Sequence, residues 1–377
     1  MTQTTDFLAP ARLGRLALPH HLVMAPLTRN RAAADGTPTD LMVTHYAHRA
    51  SAGLIIAEGS TPNPVGQTYP NITAIHTDRH VAGWRRVTDA VREAGGHMFL
   101  QLQHGGRVSH PATTGLTPVS ASAIALPETI FTPGGHRPAA VPREMTADDI
   151  RTTIADFAAA ARRAVDAGFE GVEVHSANGM LLHQFLTAGT NHRTDGYGGS
   201  LERRMRFAVE VTEAVAEAIG AERVGVRVSP GATVNGIDEG DETEELYPAL
   251  AARLQGIAYL HLVHADPDSA VFRRLRRGWR GTLIGNPVLT DLTTDAVRAG
   301  AERMLAGGAD LVALGRPFLA NPDLVERLRR GAPLNPVRER YFMYTGGAAG
   351  YNDYPALGGI GQLSSDSIVA FDGARVA

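Results

Sequence analysis

The chain lacks cysteine altogether, which excludes disulfides, thiolate catalysis and cysteine-ligated metal sites. Its 36 basic and 39 acidic residues leave a formal net charge of -3, so charge gives no reason to expect nucleic acid or an anionic membrane as a partner. No apolar run approaches the roughly 20 residues that span a bilayer, and the first residues show no secretory signal. We therefore expect a cytoplasmic protein with no metal, no nucleic-acid partner and no membrane partner.

Short apolar runs alternate eight times with amphipathic stretches along the 377 residues. The predicted strands are 21–28, 54–60, 97–104, 171–176, 224–229, 259–263, 282–285 and 310–315, and the predicted helices are 84–94, 147–167, 201–219, 244–255, 269–277, 293–305 and 323–330. Several strands are nearly continuous in Val, Ile and Leu, as in strands covered on both faces. Eight such units favour an α/β fold of the (β/α)8 TIM-barrel type. A doubly wound sheet explains the count less well, and no Gly-x-Gly-x-x-Gly motif follows the first strand.

The domain organisation predicted from this pattern is simple. Residues 1–357 form a single barrel domain, and the longest irregular segment, 108–143, is inserted after the third strand and covers the barrel mouth. A surface loop without fixed structure is the alternative for this insertion. Residues 358–377 are weakly patterned and form a C-terminal tail. The protein is expected to be a monomer or a homodimer that acts on a small molecule.

Two neutral polar residues lie at the end of the fourth predicted strand: its apolar run ends in His175, and Asn178 follows three residues later. In a barrel, function lies at the C-terminal ends of the strands. Two hydrogen-bond donors leaving one strand end can hold a carbonyl, nitro or phenolate oxygen and stabilise negative charge that develops there. A buried histidine that caps a turn is the alternative.

Other strand ends carry groups that suit a flat, polar, phosphorylated cofactor such as a flavin. The amide of Gln101 can bind the pyrimidine edge, and Arg227 can place a fixed positive charge near N1 and O2. The Thr28 hydroxyl suits the region of O4 and N5. The turn at Gly315 and Arg316, ahead of a helix, offers N–H groups and a cation to a phosphate. Each residue taken singly has a structural alternative. Arg227 could form an ion pair, Gln101 could be a layer residue inside the barrel, and Gly315 and Arg316 could form an ordinary turn.

Longer motifs point to a known family. They are Met24-Ala-Pro-Leu-Thr-Arg29, Glu58-Gly59, Gln101-Leu-Gln-His-Gly-Gly-Arg107, Gly171-Val-Glu-Val-His-Ser-Ala-Asn178, Asn191-His-Arg-Thr-Asp-Gly-Tyr-Gly-Gly-Ser-Leu-Glu-Arg-Arg204, Arg227-Val-Ser-Pro230, Gly256-Ile-Ala-Tyr-Leu-His261, Gly315-Arg-Pro-Phe-Leu-Ala-Asn-Pro322 and Gly350-Tyr-Asn-Asp-Tyr-Pro355. In these segments the chain closely resembles the old yellow enzyme family of FMN-dependent ene-reductases. It looks most like the bacterial branch that includes N-ethylmaleimide and pentaerythritol tetranitrate reductases.

The resemblance implies a (β/α)8 barrel that holds FMN without a covalent bond and accepts hydride from NAD(P)H. Hydride then passes from flavin N5 to the β-carbon of an activated alkene such as an enone, or to a nitro compound. By motif match, the flavin contacts are Pro26, Thr28, Gly59, Gln101, Arg227, Gly315 and Arg316. His175 and Asn178 match the residues that bind the oxygen of the acceptor, and Tyr69 and Tyr351 match positions at the mouth above the flavin.

Three positions depart from the family pattern. Met180 stands where a tyrosine usually protonates the α-carbon, and a thioether has no proton to give. Gln103 stands where the bacterial branch often has Trp. The segment Asn286-Pro287-Val288 replaces a glycine-containing phosphate loop, and because proline has no N–H, the phosphate contacts there fall to Val288 and Arg316.

These departures leave three functions open. The first is NAD(P)H-dependent reduction of activated alkenes or nitro compounds. The second is flavin-dependent isomerisation or desaturation, which the loss of the proton donor at position 180 favours. The third is a flavin-binding barrel without turnover, against which the retained Thr28, His175 and Asn178 argue. The sequence does not select between NADH and NADPH.

Overall fold

In the computed structural model, which describes residues 6–358, eight parallel strands close into a barrel. The strands are β1 (Leu22–Met24), β2 (Leu54–Ser60), β3 (Met98–Leu102), β4 (Gly171–His175), β5 (Val224–Val228), β6 (Tyr259–Ala265), β7 (Thr282–Pro287) and β8 (Leu311–Leu314). Each strand pairs with the next in sequence, and β8 closes the ring on β1 by the pairing of Ala313 with Val23. Apart from Gly358, the predicted tail 358–377 lies outside the described residues.

Within residues 6–358, eight principal helices surround the barrel, one after each strand. They are α1 (Asp40–Ala47), α2 (Asp78–Glu93), α3 (Ala147–Asp166), α4 (Leu201–Ile219), α5 (Thr243–Arg253), α6 (Ala270–Gly278), α7 (Thr294–Ala306) and α8 (Leu324–Arg330). Four short helices are Pro111–Thr114, Leu181–Leu186, Arg316–Ala320 and Arg340–Tyr344, and 3-10 turns span Pro64–Gly66, Gly106–Val108, Ala221–Arg223 and Gly240–Glu242. None of the helices within residues 6–358 has the length and apolar character needed to cross a bilayer.

Local signals in the sequence begin these helices. Thr146 precedes α3 and forms a reciprocal capping box with Asp149, which satisfies two otherwise unpaired backbone N–H groups. Thr77 accepts a hydrogen bond from the backbone N–H of His80 and so begins α2 six residues earlier than the predicted start at Trp84. The helix α1 was not predicted, because its apolar and polar residues are not separated on two faces.

The alternation of side chains along the strands divides the barrel into two cores. Val172 and Val174 of β4 pack outward into the large core between the strands and the helices. The inner core fills the N-terminal end of the barrel with Val23, Leu54, Ile56, Phe99, Tyr259, Ile284, Leu311 and Ala313. Above this apolar layer the inward positions are polar, and they include Glu173 and His175. The polar layer therefore lies at the C-terminal end of the barrel.

The predicted barrel is confirmed, with differences at the ends of strands. β1 stops at Met24 rather than at Thr28, because Pro26 has no N–H to donate to a neighbouring strand. β7 runs on to Pro287. The N-terminal residues add a hairpin, Ala11–Leu13 with Leu16–Leu18.

The segment inserted after β3 has secondary structure of its own. A hairpin pairs Thr129–Thr132 with Gly135–Pro138, and a second short pairing joins Val119–Ser120 to Arg143–Glu144. Side chains of Glu128, Thr129, Phe131 and His136 reach the cavity at the C-terminal end of the barrel. The insertion thus contributes one side of that cavity.

Candidate active site

A cavity of about 870 Å³ opens at the C-terminal ends of the strands. Its volume lies in the range of roughly 300–1,000 Å³ that is usual for small-molecule sites. The predicted site residues that line it are Pro26, Thr28, Tyr69, Gln101, His175, Asn178, Met180, Arg227, Val288, Gly315 and Arg316. The fold therefore brings eleven residues together that are separated by up to 290 positions in the sequence.

His175 and Asn178 lie on a tight turn that leaves β4. Asn178 adopts a φ of 54° and the following Gly179 a φ of 72°, both in the left-handed region that Asn and Gly tolerate best. The Asn178 N–H donates to the Ser229 hydroxyl at 2.8 Å, and its carbonyl oxygen accepts from the Asn235 amide at 2.8 Å. These two bonds fix the backbone of the turn, so the side chain of Asn178 stays directed at the cavity it lines.

The imidazole of His175 is neutral. Burial lowers the pKa of His175 to about 3, and the positive charge of Arg227 acts in the same direction. Within residues 6–358, its buried Nδ1 has no hydrogen-bond partner. A neutral imidazole beside a primary amide can donate to an acceptor oxygen without bringing a full positive charge into the cavity.

A buried carboxylate lies below the cavity floor. Glu173 accepts from the Gln101 amide nitrogen at 2.8 Å through Oε1 and from His261 Nδ1 at 2.8 Å through Oε2. Burial opposes ionisation of this carboxyl, but His261 and Arg227 outweigh it and hold the pKa of Glu173 below its usual value. The floor therefore joins β3, β4 and β6 through one ionised group.

Arg227 occupies the wall next to this floor. Its Nη2 donates to Asn286 Oδ1 at 3.0 Å, and the Asn286 amide in turn donates to the Ala313 carbonyl oxygen at 2.9 Å. Its buried Nε has no hydrogen-bond partner within the described part of the chain. Asn286 thus orients the guanidinium from β7, a role that the sequence did not indicate.

The predicted phosphate end of the cavity lies between β7 and β8. Arg316 begins the short helix Arg316–Ala320, and its Nη2 donates to the Leu289 carbonyl oxygen at 2.8 Å. Val288 is 61% exposed, and both it and Pro287 line the cavity. An exposed cation and exposed backbone at this end suit a solvent-accessible phosphate.

The residues present fit FMN. The buried Nε of Arg227 and the buried Nδ1 of His175 are polar atoms without partners among residues 6–358, and such atoms are costly unless a ligand satisfies them. Gln101 turns its amide nitrogen to Glu173, which leaves its carbonyl oxygen for a donor. No three His, Asp or Glu side chains of the described chain form a metal-binding group.

The three departures from the family pattern all lie in the cavity wall, and the third, Asn286-Pro287-Val288, lies at its predicted phosphate end. Met180, 6% exposed, precedes the buried helix Leu181–Leu186 and lines the cavity. Gln103 also lines it and donates its amide to the Thr68 hydroxyl at 3.3 Å. Tyr69 is a phenol in the same wall, and burial raises the pKa of Tyr69 to about 12.

Two predicted residues do not line the cavity. Gly59 packs beneath Gln103, where an added Cβ would collide with Gln103 Oε1. Tyr351 is fully buried behind the wall: its ring stacks on His45 at 3.8 Å, and Arg29 and Arg31 cover it. The prediction that Tyr351 lines the mouth is therefore corrected.

The wall that Tyr351 was expected to form belongs to an earlier segment. Arg340, Tyr341, Met343, Tyr344 and Thr345 line the cavity instead.

Arg29 and Arg31, which do not line the cavity themselves, hold the backbone of this segment, and we call the pair the arginine clasp. Arg29 donates to the carbonyl oxygens of Met343 at 2.8 Å and Gly350 at 2.7 Å. Arg31 donates to five carbonyl oxygens of the segment, those of Phe342, Met343, Thr345, Gly347 and Ala349. The clasp fixes the backbone of a segment that has little secondary structure of its own.

Comparisons with known proteins agree with this site. The family model described as NADH:flavin oxidoreductase / NADH oxidase matches residues 6–335. A probable flavin mononucleotide-dependent alkene reductase from Leishmania infantum is 42% identical over 363 residues, which cover 93% of this chain and 97% of that protein. The 12-oxophytodienoate reductase 7 of Oryza sativa subsp. japonica is 37% identical over 380 residues, which cover 93% and 94%.

Solved structures give the same result. Morphinone reductase in complex with tetrahydroNAD superposes with a TM-score of 0.86 at 43% identity and covers 93% of this chain and 98% of its own. The old yellow enzyme homologue from Zymomonas mobilis gives a TM-score of 0.88 at 36% identity, with 93% and 99% covered. The chain therefore belongs to the NADH:flavin oxidoreductase / NADH oxidase family of FMN-dependent, old yellow enzyme-type oxidoreductases.

Proposed function

We propose that this oxidoreductase reduces α,β-unsaturated carbonyl compounds, or nitro compounds, whose oxygen is bound by His175 and Asn178. The observation that carries the proposal is the turn after β4, where a neutral imidazole and a primary amide line one cavity. Relatives named alkene, morphinone and 12-oxophytodienoate reductases support the choice of an activated alkene. When bound, FMN would supply the hydride chemistry between NAD(P)H and the β-carbon of the acceptor.

The chain's own residues would bind and polarise the acceptor. Donation from His175 and Asn178 to the acceptor oxygen stabilises the negative charge that moves onto it, and one such donor is commonly worth about 10²–10³ in rate. Ser229 and Asn235 hold the Asn178 backbone, so the amide needs no rearrangement to donate. Around FMN, Gln101, Thr28, Pro26 and Arg227 would contact the ring, while Gly315, Arg316 and Val288 would contact the phosphate.

Met180 favours a second candidate function. No side-chain acid is present at the position where the family usually protonates the α-carbon, so the proton must come from water or from another side chain of the wall, such as the phenol of Tyr69 or Tyr344. Slow protonation would let hydride return after rotation about the Cα–Cβ bond, which isomerises the alkene. Desaturation would instead take two electrons from a saturated compound and pass them to an added oxidant such as dioxygen. Consumption of one NAD(P)H for each product formed identifies reduction, and product formed without NAD(P)H consumption identifies the second function.

A phenol titration tests the oxygen site directly. We expect the purified flavoprotein to develop a long-wavelength charge-transfer band with a para-substituted phenol. The double variant His175→Ala, Asn178→Ala should lose this band while retaining its FMN. His136→Ala is the matched control, because His136 lines the same cavity from the hairpin and not from β4. Unchanged phenol affinity in the double variant would show that these residues do not form the oxygen site.

A further inference from the structure

Glu173 is a buried carboxylate for which the reaction proposed above has no direct use. It is fully buried in the middle of β4, paired in register with Gln101 of β3. Its two oxygens accept from two different strands, Oε1 from Gln101 and Oε2 from His261. Arg227 lies close enough to favour its ionised form. The carboxylate therefore bonds to Gln101 and His261 and interacts with the charge of Arg227, and of these residues Gln101 and Arg227 line the cavity.

The charge of Glu173 determines which way the Gln101 amide points. An ionised carboxylate has no proton and can only accept hydrogen bonds. Gln101 must therefore turn its NH₂ group down to Glu173, where the Nε2–Oε1 distance is 2.8 Å. Its carbonyl oxygen is then the atom left for the cavity. The pyrimidine edge of a flavin carries one N–H, at N3, between two carbonyl groups, and only an acceptor complements that N–H.

The same carboxylate offsets the charge of Arg227. The guanidinium is tied to Asn286 on the side of β7, and Glu173 is the carboxylate that stabilises its charge most strongly. A flavin over this floor meets a positive charge at Arg227 that is partly balanced from below. In a poorly solvated site, the negative charge of Glu173 therefore reduces the extent to which Arg227 stabilises negative charge on the flavin.

We propose that Glu173 is a positioning residue for the flavin: it fixes the Gln101 amide with its oxygen toward N3–H, and it moderates the positive charge that Arg227 presents to the ring. The proposal rests on the flavin site and not on the identity of the acceptor. A Glu173 that served only to bury an ion pair with His261 would stabilise the barrel without influencing either property.

The decisive variant is Glu173→Gln. While His261 keeps its proton on Nδ1, as the carboxylate requires in the wild type, the side-chain oxygen of the introduced amide accepts from His261 and its NH₂ group faces Gln101. Gln101 must then rotate and present its own NH₂ group to the flavin N3–H. Two donors facing each other leave buried groups unpaired, so FMN should bind on the order of 10- to 100-fold more weakly. The reduction potential of the bound flavin should become more positive, because Arg227 loses its counter-charge.

Two further variants separate positioning from general destabilisation. Glu58→Gln is the matched control, since Glu58 is an equally buried carboxylate on β2 that does not line the cavity; it should change neither FMN affinity nor potential. The exchange variant Gln101→Glu, Glu173→Gln restores both requirements: the amide introduced at position 173 would donate to a carboxylate at position 101, which again offers an acceptor upward. It should recover most of the FMN affinity, with a potential below that of Glu173→Gln.

The measurements are fluorescence titration of apoprotein with FMN and equilibration of the holoprotein with redox dyes. Neither requires an alkene, so a wild type that fails to reduce enones would refute the proposed function without affecting this test. Wild-type affinity and potential in Glu173→Gln would overturn the proposal. The proposal would also be overturned by an exchange variant that folds but binds FMN no better than Glu173→Gln. If Glu173→Gln does not fold, a folded exchange variant that does not bind FMN at all would overturn it instead.

Discussion

Replacing Met180 with tyrosine should return a proton donor to the site. The Met180 side chain already lines the cavity, and its backbone is extended at φ −72° and ψ 171° ahead of the helix Leu181–Leu186. A tyrosine can adopt this backbone without strain, and the cavity of about 870 Å³ gives its ring room. The phenol would therefore enter the cavity near the turn that carries His175 and Asn178.

The size of the effect follows from what supplies the proton in its absence. A positioned acid is commonly worth about 10²–10⁴ in rate. Three other phenols, Tyr69, Tyr341 and Tyr344, already line the cavity, and water can enter its open side. We therefore expect Met180→Tyr to raise the rate of enone reduction by about 10², the lower end of that range.

Stopped-flow kinetics resolves the two half-reactions. Flavin reduction by NAD(P)H should be unchanged in Met180→Tyr, whereas reoxidation by a simple enone should accelerate and deliver solvent deuterium to one face of the α-carbon. Met180→Leu is the control, because it keeps the volume and the apolar character without adding a proton. If Met180→Tyr and Met180→Leu reoxidise at the same rate, the phenol at position 180 does not donate the proton and the reasoning fails.

Three other outcomes are expected. Because His175 stays neutral above a pKa of about 3, phenol affinity between pH 5 and 8 should follow ionisation of the phenol alone; an inflection that Asn178→Ala retains and His175→Ala removes would contradict this. Burial raises the pKa of Glu58 to about 7 from its usual 4.5. Between these two pH values the folded state holds a proton on Glu58 that the unfolded state lacks, so the free energy of unfolding falls as the pH rises from 4.5 to about 7. Removing the titration in Glu58→Gln should make the slope of the unfolding free energy against pH, measured in urea, more positive by about 1.4 kcal/mol per pH unit there; parallel slopes would refute it. Arg31→Ala should cost about 1.5–3 kcal/mol of stability and weaken phenol binding more than FMN binding, and equal losses of both ligands would show that the clasp does not act through the wall.

The strands of this barrel could be predicted because each one is indicated by residues within the strand itself. Runs of Val, Ile and Leu such as those in β4 and β8 indicate covered strands wherever they occur. The strand ends then bring Gln101, His175 and Arg227 to one end of the barrel by geometry alone. Strand-end geometry accounts for most of the eleven predicted residues that line the cavity, whereas Tyr69 and Met180 come from the resemblance to a known family.

The errors concern residues whose placement depends on distant partners. Tyr344 and Tyr351 are seven positions apart, and nothing local distinguishes the one that lines the cavity from the one that is buried. The backbone between them is held by Arg29, which donates to Gly350, and by Arg31, which donates to Gly347 and Ala349, all more than 300 positions away. Glu173 resembled an ordinary strand residue for the same reason, since its partners lie on β3 and β6.

The arginine clasp also has a consequence for how the substrate range of such an enzyme can diverge. Arg31 grips backbone carbonyl oxygens, which every amino acid carries, and does so from the side away from the cavity. The side chains at 343, 344 and 345 can therefore be exchanged without removing the bonds that hold their backbone. The residues at 343–345 therefore line the cavity and can also be replaced with little effect on the backbone. We expect libraries of variants confined to 343–345 to change acceptor preference while most of their members still fold.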